Sequence, residues 1–327
     1  MFDIVALGET LIDFTPDGKN TQGSQLYAQN PGGAPANVLA MYAKLGGRAA
    51  FIGKVGMDAF GSFLEGMMQA AHIDTSALQK TEDAPTTLAF VHLDAHGERS
   101  FSFYRHPGAD LCLTYDEVPE HLLAECRVFH FGSVSMTDEP CRTATLRAAQ
   151  RAHEYGALLS FDPNYRPALW NNLEEAVRLM LRGVSCADVL KVSLEEMTLL
   201  TGETCAESGA QKLLNQGPVL VLVTDGEKGA YFATKSCTGA AHAYDVSVVD
   251  TTGAGDAFLG AMLYRLQGVR REELSALPKE QLLDMLKYAN AAGGCTAKKR
   301  GAIPAMPTQT EIESCMRETP CRKIIMG

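Results

Sequence analysis

Asp250-Thr251-Thr252-Gly253-Ala254-Gly255-Asp256 sets a carboxylate at the head of an apolar run, Ala257-Phe258-Leu259-Gly260-Ala261-Met262-Leu263. The pattern predicts a short polar loop opening a helix that is apolar on all faces over 257–266, sunk in a large core and stopped at Gly268. Gly253, Ala254 and Gly255 carry no bulk to cover their backbone N–H groups. The helix dipole adds positive potential there, and such a place binds anions. A carboxylate is unwelcome at an anion site, which leaves two readings of Asp256. It caps the helix, as Asp commonly does, or it is a base held beside a phosphate in transfer. The loop is not a dinucleotide fingerprint, because Phe258 stands where the third glycine would fall, and no G-x-x-x-x-G-K-[ST] loop exists elsewhere.

Other polar groups fall where strands should end. Phe2 to Gly8 reads as a buried first strand leading into a loop with Glu9 and Asp13, and ligands of open α/β sheets sit at carboxyl ends of strands. Pro31-Gly32-Gly33-Ala34-Pro35-Ala36-Asn37 precedes a helix over 35–45 closed by Gly46-Gly47; its glycines allow close backbone approach, and Asn37 both donates and accepts. Asp162-Pro163-Asn164-Tyr165-Arg166, Lys191-Val192-Ser193-Leu194-Glu195-Glu196 and Thr224-Asp225-Gly226-Glu227-Lys228-Gly229 form three more such clusters. Each alone is explained by turn chemistry; together with 250–256 they suggest one site.

The elements that must position these groups alternate. Strands are expected at 49–53, 128–134, 157–162, 187–192, 219–224 and 230–234, with helices at 58–71, 139–155, 172–183, 194–201, 207–215 and 281–299. That order predicts a parallel sheet covered on both faces. Residues 15–31 read as polar and turn-rich. Residues 86–93 and 98–105 break the rhythm as a β-hairpin around Asp94-Ala95-His96-Gly97, with Phe101 and Phe103 alternating against Ser100 and Ser102. Such a small sheet could close over a site or pair two copies of the chain.

Composition narrows the class. The 327 residues are 46% hydrophobic, enough for a large core, and 29 basic against 39 acidic residues give a net charge of −10. Nucleic acid and anionic membrane are therefore not expected partners. There is no 18-residue apolar stretch, and no basic region precedes the first apolar run. Nine scattered cysteines without a C-x-x-C pair predict a reduced, cytoplasmic protein without structural zinc, most of them small core residues.

In order, Gly32-Gly33-Ala34-Pro35-Ala36-Asn37 with Gly46-Gly47, Thr224-Asp225-Gly226 with Gly229, and Asp250 through Asp256 with its apolar helix resemble the signatures of the ribokinase-like sugar kinases, the PfkB family. The resemblance covers essentially the whole chain. It implies a three-layer α/β fold with a mostly parallel central sheet, one kinase domain over 1–327 and a small β lid built from about 14–30 and 85–112. It also implies phosphoryl transfer from ATP, with Mg2+, to a primary hydroxyl of a sugar. Asp256 then matches the base, and Gly253, Ala254 and Gly255 match the anion hole, with Arg166 near the transferring phosphate. Asp13, Gly32, Gly33 and Asn37 match sugar-binding positions, and Arg105 would reach the sugar from the lid. Lys191, Ser193, Glu196, Thr224, Gly226, Gly229 and Asn290 fall at nucleotide-binding positions. Asp250 and Thr252, with backbone carbonyls around Lys299 and Gly301, match the ligands of a potassium ion. One departure is Ser193, which stands where the family often has the Asn of Asn-x-x-Glu; function is expected intact with metal ordering changed.

The segments 103–110, 162–166 and 191–193 further resemble those of fructokinases, which implies D-fructose as substrate and a homodimer through the lid. Arginines facing a substrate would also suit 2-keto-3-deoxygluconate, and a riboside is a third choice. From a different class, a non-catalytic sugar-binding protein on the kinase fold stays open, although such a protein has no use for Asp256.

Overall fold

The structure is a computed structural model and describes residues 1–93 and 99–322. In chain order its strands are β1 (Phe2–Leu7), β2 (Leu11–Lys19), β3 (Gln25–Gly32), β4 (Ala49–Gly56), β5 (Ile73–Thr81), β6 (Leu88–Leu93) and β7 (Arg99–Tyr104), followed by β8 (Cys126–Gly132), β9 (Leu158–Asp162), β10 (Val189–Ser193), β11 (Leu220–Thr224), β12 (Ala230–Ala233) and β13 (Thr238–Ala241). Among the described residues, nine of these form one sheet in the order β13-β12-β11-β10-β9-β8-β1-β4-β5. All its pairings are parallel except β11–β12 and β12–β13.

Strand β1 shows why this sheet is buried on both faces. Its side chains alternate, so Ile4 and Ala6 join one core cluster while Val5 and Leu7 join the other. The first cluster gathers Leu39, Tyr42 and Phe51 with Phe258 and Leu259; the second holds Phe129, Phe131 and Phe161 with Leu213. The result is three layers, with the helix Ala254–Arg265 buried from Ala257 through Leu263 and packed on the helices Ala34–Lys44 and Lys279–Ala297.

A second sheet of four strands has the order β3-β2-β6-β7 and stands over the carboxyl ends of the first. The composition of 15–31 does not mark β2 and β3 as strands, although the family resemblance assigns about 14–30 to the lid. Their outer halves are exposed, so no apolar alternation marks them, and Pro16-Asp17-Gly18 falls at a register shift within β2. Strand β5 was missed because its solvent-facing positions are polar, and β13 because it is four residues long. The helix Gln309–Glu318 was also unexpected; a Thr308–Glu311 capping box starts it, but only Ile312 and Cys315 are buried. The expected turn at 94–97 lies outside the described residues. Four of the nine cysteines are buried rather than most of them. Among the described residues no helix is long and apolar enough to cross a membrane.

Candidate active site

The helix Ala254–Arg265 begins at Gly253, whose left-handed backbone (φ 76°) a side chain would strain, and whose added Cβ would sit 2.6 Å from that of Ala302. Asp256 is the third residue of this helix and lines a cavity of about 490 Å³ beneath the small sheet. Asn37 donates its Nδ2–H to Asp256 Oδ2 at 2.8 Å, a bond between residues 219 apart in sequence. Burial pushes the Asp256 carboxyl up to about 6, and the charge of Asp162 adds to this; Asn37, Lys191 and Arg166 oppose it. Asp256 is therefore ionised at neutral pH yet a stronger base than an ordinary carboxylate.

Asp13, half-buried on β2, lines the same cavity. Burial pushes it to about 6 as well, with Arg166 pulling down and Asp256 and Asp250 pushing up. Gly32 packs against the Asp13 side chain, and Gly33 (φ 110°) lies so close to the Glu9 carbonyl that no Cβ would fit. These two glycines let the helix Ala34–Lys44 begin hard against the loop after β1, which brings Asn37 within reach of Asp256.

The cations stand opposite. Lys191 Nζ donates to Asp162 Oδ2 at 2.9 Å, and a Cβ on Gly255 would lie 3.2 Å from that nitrogen. The ammonium thus rests against the start of the helix Ala254–Arg265. Burial works against its charge, but Asp162, Glu196 and Asp256 hold it protonated. Arg166 lines the cavity with Asn164, which adopts φ 47°. Ser193 caps the helix Leu194–Thr201 and shares a capping box with Glu196. Glu196 accepts the backbone N–H groups of Tyr165 (2.7 Å) and Ser193 (2.8 Å), and burial together with Asp162 raises its carboxyl. It thereby ties the β9 and β10 ends together.

Not every expected contact forms. Arg105 does not line the cavity: it is buried, its Nε and Nη2 donate to Asp110 Oδ2, its Nη1 donates to Thr137 Oγ1 (2.8 Å), and Nη2 also reaches the Val134 carbonyl (3.0 Å). The reading of Arg105 as a cation reaching the sugar is corrected accordingly. Asn290 commits its Nδ2 to the carbonyls of Ala241 (2.9 Å) and His242 (3.3 Å), fastening the helix Lys279–Ala297 to the end of β13. Thr224, Gly226 and Gly229 form the tight turn from β11 into β12, away from the cavity residues, and Thr224 Oγ1 donates to the Val192 carbonyl. Sequence reasoning left Glu9, Asp17, Asn30, Asp162 and Arg300 out of the site. Asp162 was visible in its cluster; Asp17 and Asn30 fall in the stretch that the resemblance gives to the lid, where polar composition singles out no residue, and Arg300 comes to the cavity through its pairing with Asp17.

Beside the helix Ala254–Arg265, Asp250 Oδ1 accepts the Thr252 N–H (2.9 Å) and hydroxyl (2.7 Å), while Oδ2 accepts the Gly301 N–H (3.0 Å). These bonds draw the 250 loop and the 301 turn together. The donor set is all oxygen, which suits a hard cation such as potassium. Lys299 itself pairs with Glu311 at 2.8 Å, so only its backbone could take part. Among the described residues no cluster of three or more His, Cys, Asp or Glu is arranged to hold a metal ion.

The Ala254 N–H donates to the Thr251 carbonyl (3.2 Å). A base that can take the proton of a hydroxyl, set within one turn of backbone N–H groups at a helix start, is suited to moving a phosphoryl group onto that hydroxyl. With the small sheet above it, this places the molecule among the ribokinase-like α/β kinases. Residues 1–309 match the model of the pfkB family of carbohydrate kinases. The chain is 44% identical to a probable fructokinase-2 of Arabidopsis thaliana over 96% of its own length and 95% of the relative's. It superposes with TM-score 0.90 and 36% identity on a Xylella fastidiosa fructokinase with bound ATP, covering 97% and 99% of the two chains. A double-substituted fructokinase of Vibrio cholerae O395, in fructose, ADP and potassium ion bound form, matches with TM-score 0.85 and 35% identity over 96% and 98%. The chain belongs to the pfkB family of carbohydrate kinases.

Proposed function

We propose that this kinase works in the cytoplasm and transfers the γ-phosphoryl group of ATP to the 6-hydroxyl of D-fructose. The observation that carries the reading is Asp256, hydrogen-bonded by Asn37 at the head of the buried helix, in a chain 44% identical to a fructokinase along nearly its full length. Asp256 takes the proton of the sugar hydroxyl as its oxygen attacks the γ-phosphorus and the bond to ADP breaks. Charge spread over the phosphoryl oxygens meets the N–H groups at 253–255 and the cations Lys191 and Arg166, so fixed positioning supplies most of the rate.

Magnesium would arrive with the nucleotide and neutralise its phosphates, since such sites bind it through few protein ligands. Potassium would be held by Asp250, Thr252 and carbonyls near Gly301, adding positive charge beside the anion hole. Nine cysteines without a disulfide among the described residues accord with a reducing compartment.

The lining argues for a neutral sugar over a sugar acid. Five carboxylates (Glu9, Asp13, Asp17, Asp250, Asp256) face the cavity against three cations (Arg166, Lys191, Arg300), and Arg105 is committed to Asp110. Leu26, Tyr27 and Tyr104 expose apolar surface on the small sheet, which supports a homodimer through it; light scattering showing a monomer would overturn that part.

A coupled ADP-release assay with ATP, magnesium and potassium tests the function, offering fructose, 2-keto-3-deoxygluconate, ribose and a riboside separately. Selective turnover of fructose is expected. Turnover only on another sugar keeps the kinase and moves the substrate; tight fructose binding without any turnover would replace the kinase with a binding protein.

A further inference from the structure

Two cysteines meet where the helix Lys279–Ala297 packs on the helix Gln309–Glu318. Cys295 lies in the last turn of the first helix and Cys315 in the second; both are buried and belong to one core cluster. Cys295 Sγ is 3.7 Å from the Glu311 carbonyl. That carbonyl lies one helical turn before Cys315, on the side toward which a helical side chain at 315 leans. The two side chains accordingly meet in a thiol–thiol hydrogen bond.

Their surroundings set this pair apart from other buried thiols. Burial pushes Cys126 and Cys141 up to about 12, where a thiol stays protonated and inert. Cys315 instead is held at about 6 by the bond from Cys295, helped by the Thr319 hydroxyl and the charge of Lys298. Cys295 is pushed up by the same bond and by burial. One sulfur is thus a thiolate at neutral pH, and its neighbour keeps a proton, as a nucleophile and a resolving thiol do.

The chain between the two cysteines carries the turn beside the cavity. Lys299 pairs with Glu311 on the second helix at 2.8 Å, Arg300 lines the cavity, and the Gly301 N–H donates to Asp250 Oδ2 at 3.0 Å. A disulfide draws two sulfurs from hydrogen-bond contact to about 2.05 Å. It would therefore shift the helix Gln309–Glu318, with its tether to Lys299, against the helix Lys279–Ala297. Through Gly301 that shift reaches Asp250.

We propose that Cys295 and Cys315 are a reversible dithiol–disulfide modification site, oxidised by peroxide, whose closure lowers turnover by displacing the 301 turn from Asp250. The Cys315 thiolate attacks one oxygen of hydrogen peroxide; the O–O bond breaks, leaving a sulfenic acid and hydroxide. The Cys295 sulfur then displaces the sulfenic oxygen, the S–S bond forms, and the Cys295 proton leaves with that oxygen as water. In all, two thiols lose two electrons and two protons, and one peroxide becomes two waters. A reducing dithiol reverses the change, as befits a transient bond in a reducing compartment. The loss of turnover rests on the reading of the cavity as the kinase site; the crosslink does not.

The test treats the full chain and its Cys315→Ser variant with hydrogen peroxide, alkylates the remaining thiols, and maps the peptides by mass spectrometry without reduction. ADP release is measured before and after, on fructose or on whichever sugar the enzyme phosphorylates. A peptide joining Cys295 to Cys315 is expected. Turnover should fall roughly fivefold or more, the lower end of coupling between separate sites, and return with dithiothreitol. Cys315→Ser should start at the turnover of the unmodified enzyme and keep it in peroxide. Absence of the joined peptide overturns the proposal. So does a joined peptide with turnover unchanged, and so does an equal loss in Cys315→Ser. If Cys315→Ser does not fold, Cys295→Ala takes its place with the same outcomes. A chain that turns over no sugar refutes the kinase reading, and the peptide map alone then decides whether the disulfide forms.

Discussion

Two buried groups of charges flank the cavity and use the same residue types to opposite ends. Around Arg105 the donors are committed: Asp110, Thr137 and the Val134 carbonyl take its N–H groups, and Thr87 donates to the other Asp110 oxygen. This cluster ties the residue before β6 and the residue after β7 to the turn at 134–137, and so roots the small sheet on the large one. Around Asp256 the accounts stay open. Asp13 and Asp256 line the cavity and are pushed to about 6 by burial that their neighbours do not offset. The difference teaches that burial does not separate structural charge from functional charge. A carboxylate that lines a cavity and is held away from its ordinary acidity does.

The largest expected effect tests the open cluster. Asp256→Asn should lower turnover ~10²–10⁴-fold, the range for removing a general base, with little change in sugar affinity. Its melting temperature at pH 7.5 should hold or rise. A carboxyl raised from 3.8 to about 6 in the folded protein opposes folding above pH 6, and this penalty fades as pH falls toward 3.8, so a neutral amide relieves it. Near-normal turnover, or a sharp drop in melting temperature, would erase the contrast between the two clusters.

The closed cluster should respond in reverse. Asp110→Asn or Arg105→Ala leaves a buried charge uncompensated, an effect of about 3–5 kcal/mol on stability. Urea denaturation should show that loss, while kcat of the folded fraction stays within about threefold, because neither side chain lines the cavity and the sites are separate. A specific rise in fructose KM without loss of stability would return Arg105 to the role that its sequence position suggests.

How far each cluster was legible follows from the kind of signal it leaves. Asp250 through Asp256 and Gly32 through Asn37 are contiguous, and their glycines are demanded by backbone geometry, so their loops and helices were readable. The main sheet was readable from its long apolar strands. Strands β2 and β3 were expected only through the family resemblance, as part of the lid, because their outward faces are polar and Pro16-Asp17-Gly18 reads as a turn. Arg105 was misplaced for a related reason. An arginine ending a hairpin looks exposed, and only the fold brings Asp110, Thr137 and Val134 around it. Glu9 gave no sign that it caps Ala34 from another part of the chain, a contact that exists only in three dimensions.

A pH profile sharpens the comparison at smaller scale. Turnover should rise through an acid limb near pH 6 as the carboxylate ionises and level off by neutrality, falling about tenfold per unit below the limb. The charge of Asp256 raises Asp13, which is likewise pushed to about 6, so both carboxyls ionise across the limb. The Asp110→Asn variant should keep the same limb. A limb that moves with Asp110 would mean the clusters are electrically one.

The smallest effect lies where the two sheets meet at the cavity mouth. Arg300 Nη1 and Asp17 Oδ1 stand 3.1 Å apart, both exposed, joining the outer part of β2 to the turn that Asp250 holds. An exposed pair of this kind contributes about 0–1 kcal/mol, and salt screens it within a Debye length of about 10 Å at 0.1 M. Arg300→Gln should therefore change the sugar KM by no more than about fivefold at low salt, leave kcat alone, and lose its effect near 0.5 M potassium chloride. An effect that survives salt and exceeds tenfold would require Arg300 to touch the substrate. It would then belong with the open cluster, and the line between the clusters would run through the mouth of the cavity instead of beneath the small sheet.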